Sequence, residues 1–326
     1  MLKRVLAAVA GIASLLGADA CSHSTPTSTY SFLSDDHGPT QDNAYVYYNY
    51  ASTPPGGGVA GPTLPSSPVW FINQYGDPAP VQPTSGSSSC PSGTLWSLGT
   101  ATTGLCWVAG PGTSGQYDIV LTQTGQAASP YQLACGAEYD LFFGPDNYHT
   151  VSTFRNSPTL AAMSALNMGM TFQLRYSNVA LRCGASNPWL DQGGAMAAVV
   201  LSNATRGQTL FYQLILSSST GSMSQACTGT AFWFWGPEPG NASVYGVDEY
   251  LGTAYGQACA TENGPAQTYN LDLLPRLENF ITNSPNSGLD KNYSHWTVNG
   301  AYWGNAVYGG GTITDEWSNV SLDATL

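Results

Sequence analysis

The sequence predicts an all-β chain, a jelly roll or β-sandwich of two antiparallel sheets carrying one short helix. Three observations predict it. Short runs rich in β-branched and aromatic residues recur along the chain, and clusters of Gly, Pro, Ser and Asn separate them. A single stretch repeats with helical period.

The first twenty residues have the layout of a bacterial export signal. Lys3 and Arg4 supply the positive start, residues 5–16 an apolar run, and Ala18-Asp19-Ala20 a small-residue cleavage site. That run is too short to cross a bilayer, and no later segment approaches the roughly 20 apolar residues needed. Cys21 follows the site directly, so it is either the lipidated first residue of a lipoprotein or a free N-terminal cysteine. The segment resembles bacterial lipoprotein signals, although Asp19 is unusual there. Setting Cys21 aside leaves an even number of the seven cysteines, which favours a lipid anchor. Residues 21–42 are Ser/Thr-rich without hydrophobic period and read as a surface tether, leaving 43–326 as one elaborated sandwich.

Tyr45, Tyr47, Tyr48 and Tyr50 open the first aromatic strand, and Pro54 to Gly58 reads as a loop. Further strand-like runs cover 69–72, 116–122, 171–176, 196–202, 210–217, 231–235 and 312–322. The helix is expected over 271–282, where Leu273, Leu274, Leu277, Phe280 and Ile281 fall on one face; Asn283 and Pro285 end it. Residues 43–130 could instead form a small separate β unit.

Cys90, Cys106, Cys135, Cys183, Cys227 and Cys259 are widely spaced and contain no C-x-x-C pair, so thiolate metal sites are not expected. In an exported chain they read as disulfides, with sequential pairing (Cys90–Cys106, Cys135–Cys183, Cys227–Cys259) expected and other connectivities open. The net charge is −12 with only 8 Lys plus Arg, so the chain lacks the basic stripe of a nucleic-acid binder. Sequons at Asn203, Asn241, Asn292 and Asn319 read as composition beside a bacterial-looking signal.

The second half has an order of parts that resembles glycoside hydrolase family 12, endoglucanases and xyloglucanases of jelly-roll fold. Asn156-Ser157-Pro158 leads into 160–166, then strands at 170–176, 195–202 and 210–217, the helix, Gly304 to Gly310 and a last strand. In that family a strand of the pattern E-[IVM]-M-[IV]-W carries the nucleophile and G-T-E-P-F-x-G the acid/base. Here the two slots read Gln213-Leu214-Ile215-Leu216 and Gly304-Asn305-Ala306-Val307-Tyr308-Gly309-Gly310. A retaining pair needs two carboxyl groups about 5–5.5 Å apart. Gln213 and Ala306 provide neither, so the resemblance implies a cleft that binds without cleaving.

Glu138, Glu238, Asp248, Glu249 and Glu316 are other candidate carboxylates, with solvated loop positions as the simpler reading of each. Asp248 and Glu249, in an expected loop, would point to opposite faces of a strand. His149 or His295 with Arg155 or Arg175 could equip a polysaccharide lyase. Trp233 and Trp235 share one strand face, Phe232 and Phe234 the other, so one pair faces the core. Tyr302, Trp303 and Tyr308 are the other aromatics expected near a cleft. The reading is a carbohydrate-binding protein outside the cytoplasm that takes a polysaccharide or oligosaccharide, with Gln213, Trp235, Trp303 and Tyr308 as ligand-binding residues and no cofactor. An endo-acting glycoside hydrolase or lyase is the first rival, and a structural surface protein or adhesin the second.

Overall fold

The structure is a computed structural model. It describes residues 28–33, 45–49, 56–60, 70–76, 82–83, 94–99, 102–109, 117–127, 132–145, 154, 156–184, 190–220, 232–237, 240–251 and 260–326. Cys21, Cys90, Cys227 and Cys259 lie outside them.

The strands in chain order are β1 (Thr29–Ser31), β2 (Tyr45–Asn49), β3 (Gly56–Ala60), β4 (Trp70–Tyr75), β5 (Gln82–Pro83), β6 (Thr94–Gly99), β7 (Thr103–Ala109), β8 (Tyr117–Thr124) and β9 (Glu138–Pro145). They continue with β10 (Ala165–Val179), β11 (Gln192–Asn203), β12 (Gln208–Thr220), β13 (Phe232–Trp235), β14 (Val244–Tyr250), β15 (Gln267–Asp272), β16 (Thr297–Tyr308) and β17 (Gly311–Thr325). One helix, α1, spans Leu274–Asn283. Among the described residues these strands form two sheets. The first runs β15-β10-β17-β8-β7-β6-β5 with β1 beside β17, and the second runs β13-β14-β12-β11-β16-β9-β4-β2-β3. The strands within 43–130 are divided between the two sheets: β2, β3 and β4 join the second, and β5 to β8 the first.

Pairing is antiparallel except for β12 with β14 and β2 with β4. The first exception arises because β13 takes the sheet edge and β14 turns back inside it, alongside β12. Residues 29–33, expected as tether, belong to the sandwich. β1 pairs with the end of β17, and Phe32 is fully buried in the core. Gly56 to Ala60, expected within a loop and its border, pairs with β2.

The core lies between the sheets, because each strand turns every second residue inward. On β10 the alternation sends Leu166, Met168, Met170, Phe172 and Leu174 inside. From the second sheet Leu141, Phe143, Val199, Tyr212, Leu214, Val247, Trp303 and Val307 meet them. Asp315 crosses between the sheets, accepting from Asn305 Nδ2 at 3.0 Å and from Trp317 Nε1 at 2.9 Å.

The helix closes one end of this core. Asp272 Oδ1 accepts from the Leu274 backbone N–H at 3.1 Å, and a proline in the first turn suits the helix start. All five apolar residues expected on one helix face are buried. Phe280 packs on Tyr212 and Phe234, with ring centroids 5.5 and 5.8 Å away. Arg276 binds Glu249 of β14, which also accepts from the Tyr212 hydroxyl. Helix and core therefore fix the strand that carries Asp248 on its other face.

Cys135 and Cys183 form a disulfide across 48 residues of chain, the middle pair of the three expected. Cys106 is disulfide-bonded as well. Among the described residues no helix is long and apolar enough to cross a membrane.

Candidate functional site

The second face of the nine-stranded sheet, turned away from the core, forms an open cleft of about 570 Å³. Its depth follows from side-chain size. The central strands turn several small residues to this face, Gly194 and Ala198 on β11 and Gly304 and Ala306 on β16, beside Met196, Tyr302 and Tyr308. Strands on either side turn large or charged ones. Phe211, Gln213 and Ile215 of β12, Trp235 of β13, and Asp248 and Tyr250 of β14 make one wall. Asn73 and Tyr75 of β4 and Glu138, Asp140 and Phe142 of β9 make the other.

Across the floor, Gln213 Nε2 donates to the Tyr302 hydroxyl at 2.7 Å. Both residues pair in register with Ala198, whose methyl group is too small to keep them apart. Trp235 lies flat over Gly246, its register partner, so closely that a Cβ there would fall 1.9 Å from the ring. The ring stacks against Phe211 (6.1 Å, 26°), and its indole N–H donates to Asp248 Oδ1 at 3.1 Å. On the far wall Tyr308 donates to Glu138, which also shares a hydrogen bond with Asp140 two residues along the same face. Asp140 Oδ1 and Asn73 Oδ1 are shut off from solvent without a hydrogen-bond partner.

These surroundings push the cleft carboxyl groups upward. Burial raises Asp248 to about 6; the Trp235 hydrogen bond opposes this and the Glu138 charge adds to it. Burial, then the charge and hydrogen bond of Glu138, hold Asp140 well above the usual carboxylate range. Tyr302 and Tyr308 are raised mainly by burial and also by Asp140 and Asp248, so both stay neutral donors and acceptors.

The fold brings Gln213, Trp235 and Tyr308 together in one cleft, with Ala306 and Tyr302 beside them. Trp303 is a correction: it is fully buried between the sheets, stacked on Phe143 at 6.0 Å. Consecutive strand residues point to opposite faces, so Tyr302 in the cleft puts Trp303 in the core. The same rule separates Asp248 from Glu249, which is buried with Tyr212 and Arg276. Their segment is strand β14, not the expected loop. Of the aromatic run, Phe234 packs on the core and Trp235 faces the cleft.

Arg175 binds Glu316 at 2.6 Å on the eight-stranded sheet, and His295 Nδ1 contacts Asp290 at 2.8 Å; neither joins the cleft. Glu238, His149 and Arg155 lie outside the described residues. Asp140 is the carboxyl group of the cleft that the sequence reading missed, and Asn73, Tyr75, Phe142, Phe211 and Tyr250 are further lining residues it did not name. The alternation Glu138-Tyr139-Asp140-Leu141-Phe142-Phe143 was the signal for Asp140, since it sets Glu138, Asp140 and Phe142 on one face.

No protein-family model matches the chain. No curated protein matches it in sequence. Solved structures similar to it include glycoside hydrolases of families 12 and 11. An endoglucanase, cel12A from Rhodothermus marinus, is 12% identical with a TM-score of 0.40, over 72% of this chain and 93% of that one. A family 12 xyloglucanase from Bacillus licheniformis is 11% identical with a TM-score of 0.37, over 75% and 99%. A family 11 xylanase from Neocallimastix patriciarum is 8% identical with a TM-score of 0.35, over 78% and 95%.

Proposed function

We propose that the cleft of the nine-stranded sheet binds a chain of neutral sugars outside the cytoplasm. The observation that carries this reading is the pairing of Trp235, laid flat over Gly246, with hydrogen-bonding groups on the same concave face. An aromatic face accepts the C–H side of a pyranose, and a few fixed polar groups orient it. Gln213 and Tyr302 offer an amide and a hydroxyl at the floor, and Tyr75, 38% exposed, stands at the rim. Among the described residues, Glu138, Asp140 and Asp248 line the cleft with no cationic residue beside them, which disfavours a polyuronate. The export-signal layout read in the sequence of residues 1–20 and the Cys135–Cys183 disulfide support a site of action outside the cytoplasm. Cys21 is the residue that would carry a lipid anchor.

Gln213 and Ala306 supply no carboxyl group, and on those two residues alone the cleft binds without cleaving. The carboxyl groups on both walls favour a second reading, hydrolysis. Affinity electrophoresis of the protein through gels containing β-glucan, xyloglucan, xylan or polygalacturonate tests binding. Retardation by at least one neutral polymer and none by polygalacturonate is expected. Free migration through every neutral gel would overturn the reading.

A further inference from the structure

The two walls of the cleft carry negative charge and hydrogen-bond acceptors that no lining residue offsets. Asp248 of β14 pairs in register with Gln213 of β12, and Asp140 of β9 with Ala306 of β16, so each carboxyl group stands one strand outward from the floor. Glu138 lines the same wall as Asp140. Among the described residues no Lys, Arg or His lines the cleft with them. We propose that the cleft prefers a sugar chain bearing free amines, with Asp248 and Glu138 each accepting from one ammonium group. The proposal rests on the binding reading above for its ring contacts, and it extends that reading from neutral sugars to amino sugars.

The walls are far enough apart to make two separate seats. Between β9 and β14 lie β16, β11 and β12, so four strand steps separate Asp140 from Asp248. At about 4.8 Å per step that is roughly 19 Å between Cα atoms along the sheet. One small cation cannot touch both walls, whereas the residues of a sugar chain laid across the strands can supply an amine to each.

The first seat adjoins the aromatic platform. Trp235 Nε1 donates to Asp248 Oδ1 at 3.1 Å, which leaves Oδ2 for a ligand. A pyranose stacked on the indole projects its substituents outward in the plane of its own ring, past the edge where Asp248 sits. A hydroxyl there makes a hydrogen bond, and an ammonium adds the attraction of opposite charges. The second seat is Glu138, which accepts from Tyr308 and shares a hydrogen bond with Asp140. Asn73 on the same wall is 7% exposed, and its Oδ1 and Asp140 Oδ1 are shut off from solvent without a partner. Neither atom touches the ligand; both leave this wall short of donors and deepen its negative potential.

One sign of charge on low-dielectric walls focuses the field into the space between them. Burial, and then the Glu138 charge from across the cleft, raise Asp248 to about 6 against the Trp235 hydrogen bond. A protonated amine supplies the missing counter-charge, and a neutral hydroxyl does not.

The test is titration calorimetry with three β-1,4-linked tetramers, of glucose, N-acetylglucosamine and glucosamine, which differ only at carbon 2. At about pH 6.5 Asp248 is ionised, and an amine that behaves like an α-amino group, at roughly 7.7–8.0, is protonated. In about 0.01 M salt the glucosamine tetramer should bind about tenfold tighter than the other two, and about 1 M salt should erase most of that advantage. The ratio of glucosamine to glucose affinity should fall about fivefold or more in D248N and in E138Q. Equal affinity for all three tetramers overturns the amine preference and leaves the neutral-chain reading standing. A preference that survives high salt, or that the N-acetyl tetramer shares, overturns it too, because neither depends on charge. A ratio unchanged in either variant overturns that seat. Binding of the glucosamine tetramer alone would support the seats and sink the neutral-chain reading, whereas binding of none of the three sinks both.

Discussion

The indole N–H of Trp235 donates to Asp248 Oδ1 at 3.1 Å while its ring lies flat over Gly246. One ring thus serves as a wall of the cleft and as the partner that limits how far burial raises Asp248. W235A should weaken sugar binding at least tenfold with little change in thermal midpoint, because the ring lies outside the inter-sheet core. G246V should lift the ring and weaken binding by a similar factor although Trp235 is still present. Titration calorimetry beside thermal melts checks both; unchanged affinity in either would contradict the platform.

Trp303 behaves oppositely. Its side chain is fully buried against Phe143, so W303A should cost about 3–5 kcal/mol of stability. Urea unfolding measures this. A loss under about 1 kcal/mol would mean that the ring is not in the core.

Stability should also rise on mild acidification. Burial raises Asp315 to about 7 and Asp248 to about 6, and burial with Glu316 raises Asp118 to about 7. The folded chain holds these protons more tightly than the unfolded chain, whose carboxyl groups titrate near 3.8. The stabilisation is therefore full below that value and is lost as pH climbs through about 6 to 7. Asp290, lowered to about 2 mainly by the His295 hydrogen bond, works the other way and loses its contribution as pH falls below about 4. Calorimetric scans should place the highest melting temperature between about pH 4 and 5, with D315N flattening the slope above it. A midpoint that rises steadily to pH 8 would contradict the sign.

The Arg276–Glu249 pair ties α1 to β14, and Glu249 is buried. R276A would leave that carboxylate uncompensated and should destabilise by about 3 kcal/mol, while R276M with E249Q should recover part of the loss. A double-mutant cycle on urea midpoints reads it; no coupling between the two sites would mean the pair does not hold the strand.

Local signals were legible in the sequence. The strand expected at 171–176 lies inside the longer β10, Ala165–Val179, and the helix expected over 271–282 forms as Leu274–Asn283, because the alternation and the 3.6-residue spacing depend only on near neighbours in the chain. Cys135 and Cys183 paired as their order suggested. Features set by distant partners were not legible. Phe32 is core because β1 finds the far end of β17, and Gly56 to Ala60 is strand because β2 offers an edge. Asp140 and Asp248 gain meaning only from register with Ala306 and Gln213, which no spacing along the chain encodes. Trp303 is different in kind, since the face rule applied to Asp248 and Glu249 would have put it in the core once Tyr302 was placed in the cleft.

A crystal structure of the protein soaked with an oligosaccharide of the best-binding neutral polymer tests the central claim most directly. Sugar density should run across the floor of β11 and β16, with one ring over Trp235 and a sugar hydroxyl within hydrogen-bond distance of Gln213 or Tyr302. Density confined to the eight-stranded sheet, or to the cleft rim with no ring over Trp235, would contradict it.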